Sequence, residues 1–140
     1  MPFFRLFRMS LSETSSPQSD PQVTILLDRT DSIYHPGEVL SGSFRILDVA
    51  SDQIKAVETS VLWHTEGKGD EDMRIIYFNN ISRQQEDWIN PRQPGTFETT
   101  LPNSPISYSG QILRIKWCVR VRLFLISGSE ILSERGFKIL

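Results

Sequence analysis

The side chains able to do chemistry in this sequence are few: one cysteine, Cys118, two histidines, His35 and His64, and the acidic run Glu66, Asp70, Glu71 and Asp72. Cys118 lies between Lys116 and Arg120 on one strand face, and neighbouring cations favour a reactive thiolate. A nucleophile also needs a general base and a place for the developing oxyanion. His35 sits in a turn and His64 near a strand end, and nothing in the sequence brings either to Cys118. The residues therefore predict an inert strand cysteine. A metal site is not predicted, because C-x-x-C and H-x-x-x-H spacings are missing. The acidic run lacks the ordered ligand series of a calcium loop and reads as a solvated hairpin tip. Gly67-Lys68-Gly69 lacks the upstream glycine and following hydroxyl of a phosphate loop. Asn80-Ile81-Ser82 fits a glycosylation sequon, which carries no meaning in a cytoplasmic protein. The expectation is no catalytic residue, no cofactor and no metal.

One constellation has chemistry of another kind. Arg114, Lys116, Arg120 and Arg122 place four positive charges along about 27 Å of extended chain, at roughly 3.3 Å per residue. They have two readings. One is cross-strand pairing with acids such as Glu58 or Glu130. The other is a partner-binding strip for acidic or phosphorylated groups, which arginine forks suit. Pairing is the simpler expectation.

These charges owe their common face to an alternation. From Leu113 the odd positions read Leu, Ile, Trp, Val, Val, Leu, Leu, and the even positions carry Arg114, Lys116, Cys118, Arg120, Arg122 and Phe124. Alternate side chains on a strand point to opposite faces, so this is one long strand with an oily and a basic side. Other strands are predicted at Val23–Leu27, Leu40–Ile46, Ile54–His64, Met73–Phe78, Phe97–Leu101 and Glu130–Leu140, the last with an irregularity at Gly136. Pro36-Gly37 predicts a type II turn. Gly42, inside a strand, predicts a bulge or close backbone approach. Asn79–Gly95 reads as a long polar connection, in which part of Ile81–Ile89 forms a short strand or helical turn that docks Trp88. Seven to eight short strands with no convincing helix point to an all-β, immunoglobulin-like antiparallel sandwich of two sheets, with Trp63 and Trp117 as its largest core members.

A family resemblance rests on two motifs. A short strand ends in Leu101-Pro102, and Pro105, a Ser-rich loop and Gly110 follow; then comes I-x-W-x-V-x-V at Ile115–Val121. Tyr34–Gly42 reads Y-x-P-G-E-x-L-x-G. Together, in this order, they resemble arrestin-type domains over about Val23–Ile139, with most similarity to the bacterial half-arrestin or sporulation-control type. The resemblance implies a sandwich of the arrestin type that binds other proteins and has no enzymatic activity. Arrestins join two such domains and this chain shows one, so a homodimer or a partner subunit is left to cover the inter-domain surface. No phosphate-sensing residue of the family has a clear match.

The chain has 140 residues, 39% hydrophobic and 23% charged, as for one globular domain of ordinary composition. A formal charge of −2 argues against nucleic acid as a partner. A lone cysteine suits a reducing compartment, so a cytoplasmic location is expected. Residues 1–22 read as a flexible tail and 23–140 as the domain. The tail begins with an aromatic, basic tip whose Phe3, Phe4 and Phe7 are either a frayed end or a weak anchor for a membrane surface or partner groove. The function expected is a protein-interaction adaptor or scaffold. The alternative is a lipid- or carbohydrate-binding module at the 79–95 loop, around Arg83, Trp88 and Arg92.

Overall fold

Two sheets bury their oily faces against each other because β-branched and aromatic residues recur at every second position. The computed structural model describes residues 20–69, 71–82 and 90–140. Among these residues nine strands are present: β1 (Gln22–Leu27), β2 (Ile33–Tyr34), β3 (Val39–Leu47), β4 (Ile54–Gly67), β5 (Met73–Ser82), β6 (Gly95–Thr100), β7 (Tyr108–Ser109), β8 (Leu113–Leu125) and β9 (Glu130–Ile139). The small sheet has the order β1-β3-β6. The large one has β2-β9-β8-β4-β5, with β7 paired to β8 as its sixth strand. The architecture is the predicted sandwich: seven longer strands and two of two residues each. All pairings are antiparallel except β2 with β9.

The core follows the alternation. On β8, Trp117, Val119, Val121 and Leu123 are buried, and on β4 so are Val57, Thr59 and Val61. Facing them are Val23 and Ile25 of β1, Leu40, Phe44 and Ile46 of β3, and Phe97 of β6. Trp117 is 1% exposed, and its indole N–H donates to the Pro105 carbonyl at 3.0 Å. Its ring lies 5.8 Å from that of Phe137, which meets Tyr34 edge-on at 5.6 Å. Trp63, directly opposite Trp117 across the ladder, is half-buried and packs against this core.

Two glycines are required by their geometry. Gly37 has φ +82° in a turn closed by the Glu38 amide donating to the His35 carbonyl, the predicted type II turn. A Cβ on Gly42 would sit 2.3 Å from the Leu26 carbonyl oxygen and 2.6 Å from the Phe97 ring. Of the two predicted roles for Gly42, the structure shows the close approach. Around the turn, Arg29 bonds Glu38 at 2.8 Å and lies over the Tyr34 ring, while the Tyr34 hydroxyl donates to Asp28.

Several boundaries differ from those read in the sequence. β4 continues three residues past His64, because Thr65, Glu66 and Gly67 keep their ladder with β8. β5 runs on to Ser82, so the first four residues of the predicted 79–95 connection are strand, paired to Ala56–Thr59. Gly136 brings no irregularity: it pairs with Cys118 in an unbroken register. Irregularities lie instead in β5, where an extra residue, Ile76, shifts the register between Val61 and Leu62, and at the start of β4, where Lys55 is extra between Ile54 and Ala56 opposite β8. Periodicity misses the β5 shift because Ile75, Ile76, Tyr77 and Phe78 are all apolar.

Replacing Trp117 with Ala removes the largest fully buried side chain and leaves the Pro105 carbonyl without its donor, a loss of about 3–5 kcal/mol. Trp63→Ala, at a half-buried site, costs less. Guanidinium unfolding of both variants checks the order.

Candidate functional site

The outer face of the large sheet carries the predicted basic strip. Even-numbered residues of β8 alternate outward there, and the antiparallel register lays acids of β4 and β9 beside them. Glu66 lies 3.2 Å from Lys116 and 3.5 Å from Arg114, and it also meets His64 at 3.2 Å. Arg120 Nε bonds Glu134 at 2.7 Å. Arg122 lies 3.6 Å from Glu130. Glu58, although opposite Arg122, accepts from the Asn80 side chain at 3.2 Å. Four cations thus face four carboxylates on one surface. Exposed pairs of this kind add about 0–1 kcal/mol each, but they leave little net field for an anionic partner over most of the strip.

Cys118 sits in the middle of this face, between Leu62 on β4 and Gly136 on β9. It is buried, not displayed. Burial, helped by the nearby Glu134 charge, pushes its thiol up to about 11, against the lowering that Arg120 supplies. The activation that Lys116 and Arg120 suggest in the sequence is therefore outweighed by desolvation. His64 bonds Glu66, and His35 Nδ1–H donates to the Leu140 carbonyl at 2.9 Å. Among the described residues no group of three or more His, Cys, Asp and Glu side chains is placed to hold a metal ion. Asp72 is engaged in closing the β4–β5 hairpin: its amide donates to Thr65 Oγ1 at 2.8 Å.

Two other features of the large sheet were not singled out from the sequence. The first is its β5 edge. This ten-residue strand ends the sheet order, and Met73, Ile75 and Phe78 are 51%, 45% and 55% exposed. Its opposite face carries Ile76 and Tyr77, which are half-buried against the core. The strand contains no Lys, Asp, Glu or Pro, and Arg74 is its one charge. These are the residues that ordinarily keep an edge strand from pairing with another chain. Four successive apolar residues are the signal for it, and they resemble a strand covered on both faces more than an edge.

The second feature is a cleft of about 500 Å³ at the opposite margin, where β9 leaves β8 for β2. Arg114 and Lys116 of the basic strip reach its rim, while Arg120 and Arg122 do not. Phe3, Phe4, Phe7, Asp70, Arg83 and Trp88 lie outside the described residues. Arg92 is exposed in a turn closed by the Gln93 amide donating to the Asn90 carbonyl at 2.9 Å. No helix among the described residues is long and apolar enough to cross a membrane.

No protein-family model matches the sequence, and no curated protein matches it either. Among solved structures the chain is similar to Spo0M, a sporulation control protein from Bacillus subtilis, with a TM-score of 0.59 at 16% sequence identity. The match covers 86% of this chain and 49% of Spo0M, so the chain spans about half the length of that protein. The likeness is one of fold, and the fold is the arrestin-like β-sandwich.

Two predictions follow from the electrostatics. Cys118 should react with an aromatic disulfide reagent at pH 8 far more slowly in the folded protein than in guanidinium; equal rates would contradict its burial. Glu66 is held below its ordinary 4.5, first by His64 and then by Lys116. Arg29, followed by the His35 amide, does the same to Glu38. A carboxyl lowered in the folded state contributes stability that is fully present above its unfolded value and is lost as pH falls through the folded one. The stability difference between wild type and Glu66→Gln should therefore be present at pH 7 and shrink as pH drops below about 4.5. Urea unfolding across that range reads it.

Proposed function

We propose that this chain is a non-enzymatic interaction module, an adaptor or scaffold, which receives an extended segment of a partner protein along β5. The observation that carries the reading is the β5 edge itself. Among the described residues its outer edge, from Met73 to Ile81, has no ladder partner along about 30 Å of strand, with apolar side chains on both faces and no protecting charge beyond Arg74. Added strands gain affinity from main-chain hydrogen bonds and specificity from alternate side chains. A complementary segment would place apolar residues beside Ile75 and Phe78, and an acid near Arg74.

The chemistry elsewhere agrees with this. The only thiol is buried and kept protonated, and the histidines are tied to Glu66 and to the Leu140 carbonyl. Over Arg120 and Arg122 the basic strip is occupied with its own sheet. Spo0M is by name a control protein, a role that binding serves, and the common fold is compatible with such a role here. A second copy of this chain, offering its own β5, is one partner that meets the description.

The test uses Ile75→Lys with Phe78→Lys, two exposed positions where substitution should change stability by no more than about 0.5 kcal/mol. Light scattering and cross-linked partner capture are compared with wild type. Loss of a self-association or of a partner that wild type retains supports the edge. An identical profile for both proteins, with melting unchanged, removes it.

A further inference from the structure

We infer that the cleft at the β8–β9 divergence is a binding site for a small amphipathic anion, a carboxylate or phosphate ester on a short alkyl body. The inference is independent of the β5 edge, which lies at the other margin of the sheet.

The cleft exists because the sheet divides. The β8–β9 ladder ends at Trp117 opposite Phe137, and the last residues of β9 then pair with β2 instead. Further along, β8 takes β7 as its neighbour, Tyr108 opposite Ile115 and Ser109 opposite Arg114. The two flanks are tied to each other: the Ser107 amide donates to the Ile139 carbonyl at 2.8 Å, and the Ile139 amide to Ser107 Oγ at 2.9 Å. Between them remains a space of about 500 Å³, within the range of sites that enclose small ligands.

Its lining is divided by chemistry. Half-buried Ile33 and Ile115 supply apolar surface, backed by the edges of the nearly buried Trp117 and Phe137, since odd positions of β8 and β9 belong to the core side of the sheet. The rim carries three cations, Arg114, Lys116 and Lys138. Against them stand two side-chain carboxylates. Glu66 is shared by Arg114, Lys116 and His64 from the far side of β8, and Asp31 accepts from the Ile33 amide at 3.0 Å. Lys138 makes no ion pair among the described residues. This is the end of the basic strip where cations outnumber acids, and it is the end that adjoins an apolar hollow. An anionic head would meet Lys138 and the underneutralised pair, and the alkyl body would lie on the Trp117 side. Gly136, also in the lining, leaves the entrance open: a Cβ there would meet nothing nearer than the Trp117 carbonyl oxygen at 3.9 Å.

The experiment is an amide-resolved NMR titration of the full chain with decanoate and with decyl phosphate, using decanol and decyltrimethylammonium as controls. Saturable shifts at Ser107, Gly136 and Lys138 are expected with the anions, and the tighter of the two identifies the head group. Lys138→Glu, at an exposed site, should weaken binding about tenfold. Gly136→Leu should abolish it by filling the entrance, with the melting temperature of both variants checked against wild type. The inference is overturned by any of three results: no saturable shift with either anion, decanol binding as well as decanoate, or undiminished binding in a folded Gly136→Leu protein.

Discussion

One hydrogen bond, from the Trp117 indole to the Pro105 carbonyl, connects the core of this protein to the segment that walls the cleft. The indole is the largest fully buried side chain, and a buried N–H without an acceptor costs free energy. Its acceptor comes from outside the ladder, from the Pro-bounded segment between β6 and β8. That segment is thereby held against the end of the large sheet, where β7 pairs with β8 and Ser107 bonds to Ile139. Without it, β8 would face open solvent beyond Trp117 once β9 turns away to β2. The same contact that satisfies the core thus builds one wall of the cleft.

The outer face shows how register decides what a charged surface can do. Because β4, β8 and β9 are antiparallel neighbours, acids and bases on even positions fall opposite one another, and Arg120 and Arg122 are neutralised within the sheet. Cys118 and Leu62 share this face but are covered by their larger neighbours, which raises the thiol's proton affinity. A strip that looks uniformly basic along one strand is close to neutral once its neighbours are in place. Only at the Lys116 end, where one carboxylate serves two cations and a histidine, does the balance tip.

The architecture was legible because its signals are local. The alternation of β8, the Pro36-Gly37 turn and Trp117 in the core each read correctly, since side-chain parity and turn dihedrals act over a few residues, whereas Trp63 is only half-buried at the margin of the core. The sequence also pointed to Glu130 as a partner of the strip, and Arg122 meets it. The β5 edge was not legible, because Ile75–Phe78 shows no period and an extra residue hides the parity. Nor was the cleft: Arg114, Lys138 and Asp31 are scattered in the chain and meet only where β9 changes neighbours, a fact of topology. Cys118 read correctly as an inert strand cysteine, but the extent of its burial was not legible, since its opposite neighbours Leu62 and Gly136 and the Glu134 charge all lie on other strands.

Both candidate surfaces trace to a mismatch between the layers. Three strands spaced about 4.8 Å apart cover less width than the five in the large sheet's path, so a three-stranded sheet cannot blanket the larger one. The small sheet buries Val119, Val121 and Leu123 at the centre, where β4 and β8 lie side by side. The uncovered width falls at the margins. On one side it leaves β5 with Tyr77 only half-covered beside Phe97, and on the other it leaves the gap between β9, β2 and β7. A margin with apolar residues on both faces favours another strand, since that pairs the backbone as well as covering the side chains. A margin closed by cross-bonds at Ser107, ringed by cations and ending in two-residue strands, β2 and β7, offers little edge for a partner strand and suits something small enough to enter. The two margins therefore differ in kind, and the difference follows from which backbone groups are already paired.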